Sequence, residues 1–428
     1  MKNLTIRPSR LSGTIHIPPS KSMAHRAISC AFLSEGESRI DNVELSDDII
    51  ATCRAVEALG GDMDILESTI PGRKILVIRG KGTVKIKRKL INCGESGTTA
   101  RFIIPITRLT ADEVVITGEG KLSERPFGVF YEIFDTQKIQ YQTQSGMLPL
   151  TLNGAIKPGC FSIRGDVSSQ FISGLLLALP LLPGDSVIML TTPLESIGYI
   201  EMTIQMQKMF GIRIEFERAE NKFLIPGWQK YKPQHYQVEG DWSQAAFWLA
   251  AGVFSGPVSI DGLNPDSLQG DKIIEAFLQQ MGANLSWKEN LLVAQESRLN
   301  GIQMDVSQCP DLVPVLAILG SVADGNTEIM NAARLRIKEC DRLKAITTEL
   351  KAMGAKITEY EDSLSIDGKQ KLMGGRVYGW NDHRIVMASA IAAATCEKNT
   401  TIEGSQAVNK SYPSFWEHYH RLGGKACE

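Results

Sequence analysis

The strongest constraint on this chain is an internal repeat. One pattern returns roughly every 70 residues, six times in all. Each copy opens on a polar cluster, runs into an apolar helix, and ends in a glycine-containing turn and a β-rich strand. The copies begin at Ser20 (SKSMAHRAISCAFLSEGESRIDNV), Glu95 (ESGTTARFIIPITRLTADEVVITG), Asp166 (DVSSQFISGLLLALPLLPGDSVIML), Gly240 (GDWSQAAFWLAAGVFSGPVSIDGL), Pro310 (PDLVPVLAILGSVADGNTEIMNA) and Asn381 (NDHRIVMASAIAAATCEKNTTIEG). A second amphipathic helix follows each copy, closes on glycine and enters another strand, as in CRAVEALGGDMDI, IQMQKMFGIRIEF, FLQQMGANLSW, TELKAMGAKITEY and YHRLGGKACE. Glycine just past the last turn fits a left-handed helix end. The partner of the second copy, FYEIFDTQKIQYQTQ, lacks that glycine and is the degenerate member. Strands such as VVITG and VSIDG alternate with period two. The chain therefore reads as an α/β repeat scaffold.

With 428 residues, the chain is too long for one ordinary core. Three copies per domain is the natural division. The segment from Trp228 to Val238, preceded by Pro226 and Gly227 and holding Pro233, separates copies three and four. A chain that starts in one domain, builds the other and returns gives a domain of residues 20–238 and a discontinuous domain of 1–19 plus 239–428. The formal net charge of -2 gives no general reason for nucleic acid or an anionic membrane as partner, so any cationic site must be local. The eight cysteines are scattered, with no close pair, and read as reduced thiols in a cytoplasmic protein. His418 and His420 form the only close histidine pair and have no cysteine beside them in a zinc-finger spacing, so no metal is expected. No apolar run of signal-peptide length opens the sequence, and stretches such as Leu175 to Leu182 are far too short to span a bilayer.

The polar residues carry the functional signal. A helix start needs one capping side chain, and these copies bring several. Helix N-termini present free N–H groups and partial positive charge, so they receive anions. In Pro19-Ser20-Lys21-Ser22-Met23-Ala24-His25-Arg26, Lys21 opposes the helix dipole. It is either a solvated surface cation or, with Arg26 a turn later, one side of an anion site. Glu95-Ser96-Gly97-Thr98 is either a plain cap or a loop whose glycine admits a ligand close to the backbone. Arg125 precedes Pro126 and is expected in extended geometry, suited to a carboxylate or phosphate. Ser168-Ser169-Gln170 exceeds what a cap needs. Asp311 follows Pro310 at a helix start, and Arg334 to Arg342 holds a dense charge run. That run is either a solvated face or, since Arg334, Arg336 and Lys338 alternate as along a strand, one face of like charges that an anion must compensate. Arg384 and Lys410 add cations at element ends, and His383 reads as a structural hydrogen-bonder.

Taken together and in this order, these segments resemble the 5-enolpyruvylshikimate-3-phosphate synthases, over essentially the whole chain. The resemblance implies two similar domains of three βαβαββ units each, the inverse α/β barrel of the enolpyruvyl transferases, with the active site in the interdomain cleft and closure of the halves on substrate. It implies transfer of the enolpyruvyl group of phosphoenolpyruvate to the 5-hydroxyl of shikimate 3-phosphate, through a tetrahedral ketal phosphate, with no cofactor and no metal. Shikimate 3-phosphate would meet Lys21, Ser22, Arg26, Ser168, Ser169, Gln170, Ser196, Tyr199 (by stacking), Asp311 and Lys338. Phosphoenolpyruvate would meet Lys21, Gly97, Arg125, Gln170, Arg342, Arg384 and Lys410. Asp311 would accept a proton, Glu339 would donate one, and Lys21 would assist. The small-molecule substrates are the implied partners, and a monomer is expected. Glyphosate would compete with phosphoenolpyruvate beside Gly97.

Three positions depart from the family pattern. Glu95 stands where members carry Asn, and is expected to point away or pair with an arginine. Arg334 replaces an Asn that holds the acceptor ring. Ser196-Ile197-Gly198-Tyr199 lacks a common proline. Two other readings compete: a UDP-N-acetylglucosamine enolpyruvyl transferase, for which Cys93 is the only candidate loop acid, and a non-enzymatic repeat protein that binds an anion.

Overall fold

The computed structural model describes residues 2–368 and 371–428. Among them the chain forms twelve α-helices: α1 (Lys21–Leu33), α2 (Asp47–Ala58), α3 (Gly97–Thr107), α4 (Gly128–Gln137), α5 (Ser169–Ala178), α6 (Ile197–Met209), α7 (Trp242–Ser255), α8 (Ile274–Gln280), α9 (Val313–Val322), α10 (Arg342–Ala352), α11 (His383–Ala394) and α12 (Phe415–Arg421). The odd-numbered helices open the six copies. Their starts are set by side-chain caps that satisfy orphan N–H groups. Ser20, Ser96, Ser168, Asp241 and Asp382 accept from the backbone N–H of Met23, Thr99, Gln170, Gln244 and Arg384. Helix α9 is the exception: it follows a 3-10 turn, Pro310–Leu312, and has no side-chain cap. These helices are apolar nearly all round, which is the signature of a fully buried helix. All twelve residues of α11 are buried, as are Val313–Ser321 of α9.

Six four-stranded sheets accompany the helices, all of one build. An edge strand pairs in parallel with its neighbour, and two antiparallel strands follow. In the second copy, Leu90–Asn92 runs parallel to Val114–Thr117, which pairs antiparallel with Met147–Asn153 and that with Gln140–Gln144. The chain thus runs strand, crossover helix, strand, second helix, hairpin, which is the βαβαββ unit.

The chain divides into two compact units: Pro19–Val238, and Met1–Pro18 with Glu239–Glu428. Each unit has its own hydrophobic core. In the first, the parallel edge strand of the opening sheet is the late segment His235–Gln237, bonded to Glu35–Val43. In the second, the N-terminal segment serves two sheets. Gly13–His16 is the parallel edge of the fourth copy, against Val258–Asp261, and Asn3–Arg7 completes the sixth, between Thr400–Glu403 and Lys425–Cys427. Helix α3 packs on α1 and α5 in one unit, and α7, α9 and α11 pack together in the other. At Gly174 a Cβ would lie 2.1 Å from the Arg101 carbonyl oxygen, so only glycine lets α5 approach α3 this closely.

The glycines that end the second helices do what their spacing predicts. Gly60, Gly211, Gly282, Gly354 and Gly423 take φ of +98°, +84°, +93°, +94° and +93°. In the degenerate copy Lys138 occupies the left-handed region instead, at φ +57°, and is exposed. A side chain there is strained and packs against nothing it would miss. Lys138→Gly should therefore stabilise its unit by about 0.5–1 kcal/mol, the left-handed penalty less the added unfolded-state entropy. Thermal unfolding should show that unit's midpoint rising by about 1–3 °C; a fall would refute the strain argument.

Candidate active site

In the unit Pro19–Val238 the copy starts bring cations and short polar groups together. Lys21 opens α1, and its Nζ sits 2.5 Å from Asp48 Oδ2 on α2, both largely buried. Arg26 is buried and spends its guanidinium inside the unit: Nε donates to Thr203 Oγ1 (2.8 Å), Nη1 to the Ser22 carbonyl (2.7 Å) and Nη2 to the Tyr199 carbonyl (2.7 Å). Its Cζ lies over the rings of Phe102 and Tyr199, at 5.4 and 5.9 Å. Burial lowers its pKa to about 10, partly offset by Tyr199 and Cys30, so it stays charged at neutral pH. Arg26 thereby fixes two other predicted residues, Ser22 and Tyr199. Ser196, at the start of α6, takes a left-handed φ of +54° and is buried.

Gly97 is the first residue of α3. A Cβ on it would lie 2.5 Å from Arg101 Nη1 and 2.9 Å from Arg125 Nη1, so two buried guanidiniums converge on this backbone. Arg101 Nη1 donates to Gln170 Oε1 (2.8 Å), and Gln170 Nε2 donates to Thr98 Oγ1 (2.8 Å). Arg101 Cζ also lies over the rings of Phe127 and Phe171, at 5.5 and 4.8 Å. Ser168 caps α5, and Ser169 and Gln170 form its first turn. The Glu95 carboxylate lies over Gly120, where a Cβ would come within 2.5 Å of Oε2.

In the other unit the charges interlock. Asp311 Oδ1 accepts from Arg342 Nη1 (2.8 Å) and faces Lys338 Nζ (3.4 Å); its Oδ2 accepts from Arg384 Nη2 (3.1 Å). Arg342, only 1% exposed, also donates to Glu339 Oε2 (2.6 Å) and Asp382 Oδ2 (2.7 Å). Lys410 Nζ donates to the Asn381 carbonyl (2.6 Å). Burial by itself would raise the Asp311 pKa, but Arg384, Lys338 and Arg342 outweigh it and hold the carboxyl well below the usual range. Burial pushes the Lys338 ammonium down; Asp311 pulls the other way and Arg342 adds to the lowering. Asp271, buried and accepting from Ser243, goes up to about 6, through burial first and then the charge of Asp311, against the pull of Arg384.

The strand-like reading of Arg334, Arg336 and Lys338 does not hold. Ala333–Ile337 is a 3-10 helix, and the three side chains diverge. Arg334 donates to the Ser307 carbonyl, Arg336 binds Asp341 (2.9 Å), Glu359 (2.8 Å) and the carbonyls of Tyr360 and Glu361, and Lys338 turns to Asp311. Arg336 and Lys338 meet local carboxylates and Arg334 a carbonyl, so the run does not by itself require an anion. Two neighbours of the predicted residues, Asp48 and Arg101, did not emerge from the sequence. Arg101 was legible only as the seventh residue of the second copy, ESGTTAR. Asp48 sits in an acidic first turn whose ordinary reading is a helix-dipole partner.

The model of the family described as EPSP synthase (3-phosphoshikimate 1-carboxyvinyltransferase) matches residues 6–419. The chain belongs to the EPSP synthase family. The 3-phosphoshikimate 1-carboxyvinyltransferase of Clostridium kluyveri is 51% identical over 428 residues, covering 100% of this chain and 99% of that protein. That of Clostridium acetobutylicum is 49% identical over 429 residues, with 100% and 99% covered. An EPSP synthase structure from Acinetobacter baumannii superposes with a TM-score of 0.81 at 27% identity over the full length of both chains. The enolpyruvyl transferase NikO from Streptomyces tendae shares the fold, with a TM-score of 0.79 at 17% identity over 99% and 98% of the two chains. The chain is an enzyme of the shikimate pathway, and its reaction is enolpyruvyl transfer to shikimate 3-phosphate. The UDP-N-acetylglucosamine and non-enzymatic readings fall with that assignment. Among the described residues, no helix is long and apolar enough to cross a membrane.

Asp271 gives this member of the EPSP synthase family a pH signature. A carboxyl whose folded pKa exceeds its unfolded value of about 3.9 favours the fold at low pH, and that contribution fades as pH climbs through about 6. Asp271→Asn removes the dependence. Between about pH 4 and pH 7 the variant should gain thermal stability relative to the parent, as read from unfolding midpoints across that range. A difference that stays constant with pH would contradict the assignment.

Proposed function

We propose that the residue clusters of both units act on the same pair of substrates, in an addition followed by an elimination. The observation that carries this reading is the Asp311 cluster: one ionised carboxylate held among Arg342, Arg384 and Lys338. Phosphoenolpyruvate and shikimate 3-phosphate each bring a phosphate and a carboxylate. Lys21, Gly97, Arg125, Gln170, Arg342, Arg384 and Lys410 receive phosphoenolpyruvate. Lys21, Ser22, Arg26, Ser168, Ser169, Gln170, Ser196, Tyr199, Asp311 and Lys338 receive shikimate 3-phosphate, with Tyr199 against the ring.

Asp311 takes the proton of the 5-hydroxyl as its oxygen attacks C2 of the enol. Glu339 delivers a proton to C3, and a tetrahedral ketal phosphate results. C3 then returns its proton to Glu339, the double bond reforms, and phosphate leaves with the proton that Asp311 had accepted, Lys21 offsetting the charge on the leaving group. A carboxylate as acidic as Asp311 among these three cations is a weak base. Substrate anions that engage Arg384, Arg342 and Lys338 remove part of the field that depresses it, so its basicity rises when the substrates are bound. A cytoplasmic monomer belongs to the same reading. It is supported by free cysteines, of which six are buried, and by six sheets each completed from this chain.

Asp311→Asn and Glu339→Gln should each lower kcat by about 10²–10⁴ while KM for both substrates moves by no more than about threefold, in a phosphate-release assay. Full activity in either variant defeats the assigned role. Gly97→Ala must displace the guanidinium ends of Arg101 and Arg125. It should raise KM for phosphoenolpyruvate by about tenfold or more and leave KM for shikimate 3-phosphate within about twofold. Equal changes in the two constants would detach Gly97 from the phosphoenolpyruvate site.

A further inference from the structure

Helices α1, α2 and α3 each give two residues to one layered arrangement. Lys21 and His25 lie one turn apart on α1, Asp48 and Thr52 one turn apart on α2, and Gly97 and Thr99 begin α3. In the outer layer Lys21 meets Asp48. In the inner layer a hydrogen-bonded chain crosses all three helices: His25 Nδ1 to Thr52 Oγ1 (2.7 Å), Thr52 Oγ1 to Thr99 Oγ1 (2.6 Å), and Thr99 Oγ1 to Ser96 Oγ (2.8 Å). Ser96 in turn caps α3 by accepting the Thr99 N–H (3.2 Å), and Thr99 Oγ1 also reaches the Asp48 carbonyl (3.4 Å). All four residues are at most 2% exposed.

The directions along this chain follow from its end. Thr99 donates to Ser96, so Thr52 donates to Thr99, and the Thr52 oxygen receives the Nδ1–H of His25. That leaves Nε2 as a buried lone pair with no hydrogen-bond partner. The ring is neutral: burial, then Lys21, then Arg26 push its pKa well below the ordinary value. Nothing in the reaction needs this imidazole. Its contribution is a fixed hydrogen bond that ties the start of α1 to the starts of α2 and α3.

We infer that Thr52 and Thr99, anchored on His25, are positioning residues that set the spacing between the Lys21 ammonium and the Gly97 amide, and through it the affinity for phosphoenolpyruvate. This rests on the proposed reading in which Lys21 and Gly97 meet that substrate. The two hydroxyls are the part of the link that substitution can remove at nearly constant volume.

The test is steady-state kinetics of Thr52→Val, Thr99→Val, the double variant and Thr52→Ser, with thermal midpoints measured in parallel. Each valine variant should raise KM for phosphoenolpyruvate by about tenfold, with KM for shikimate 3-phosphate within about twofold. The double variant should be no worse than the worse single variant, because one chain is broken either way. Thr52→Ser should restore the parent value. Thr52→Ala takes the place of a valine variant that does not fold. An unchanged KM for phosphoenolpyruvate, a parallel rise for both substrates, or no rescue by serine overturns the inference, whatever the midpoints do. Lys21→Met is measured alongside. If it loses phosphoenolpyruvate affinity while the valine variants keep it, the inference alone fails. If it too keeps the affinity, the reading of the site fails and takes the inference with it.

Discussion

Arg342 is almost wholly removed from water, and its charge is tolerable there only because Asp311, Glu339 and Asp382 surround it. Much of the unit around it follows from this constraint. Asp382 can face Arg342 because it caps α11, and its carboxylate serves the helix start and the arginine at once. Asp311 can reach Arg342 and Arg384 because α9 forgoes a side-chain cap and begins instead with a 3-10 turn that carries Asp311. The departure of the fifth copy from its siblings is thus the feature that makes it chemically distinct.

The arginines beside Gly97 and Tyr199 and those around Asp311 are balanced differently. In Pro19–Val238 the caps of the first helices are the hydroxyls of Ser20, Ser96 and Ser168. Arg26 and Arg101 lean on carbonyls, an amide and aromatic rings, Arg26 on Ser22 and Tyr199 and Arg101 on Gln170 and Phe171, whereas Arg73 pairs with Glu44 away from them. Neutral partners orient a guanidinium and leave its charge intact for an anion. In the other unit Asp241 and Asp382 are the caps, and carboxylates balance the cations directly. One arrangement suits the holding of anionic substrates; the other suits proton transfer, where a carboxylate must be present and its basicity set by its neighbours.

The sequence made the repeat legible because each copy obeys local rules. A polar start, an apolar helix and a left-handed end to the second helix are written within some forty-five residues, and the structure has both helices in every copy, a side-chain cap on the first helix in five and a glycine end on the second in five. Lys138 marks the limit of that reading: the missing glycine flagged a degenerate copy, yet the chain keeps the left-handed turn and accepts the strain. The charge run at Arg334 to Arg342 misled, because alternation along a sequence implies a shared face only if the segment is extended, and here it is a 3-10 turn with carboxylates arriving from Asp341 and Glu359. Asp48 and Arg101 stayed hidden for a related reason. Their significance lies in what stands beside them, and an acidic residue in a first helical turn has an ordinary explanation already.

By itself, then, the sequence determined the six units, their helix, strand, helix, strand order and the residue types offered at each helix start, since these rest on periodicities and caps a few residues long; the βαβαββ unit and the family came with the resemblance that its motifs, taken in order, carry. Only the tertiary structure decided which strands complete which sheets, with the N-terminal segment serving the fourth and sixth copies, and which charges neutralise which. Those outcomes depend on groups far apart in the chain, such as Asp311 with Arg384 or Gly97 with Arg125. Electrostatic energy falls with distance in space, and no spacing along the sequence encodes that distance.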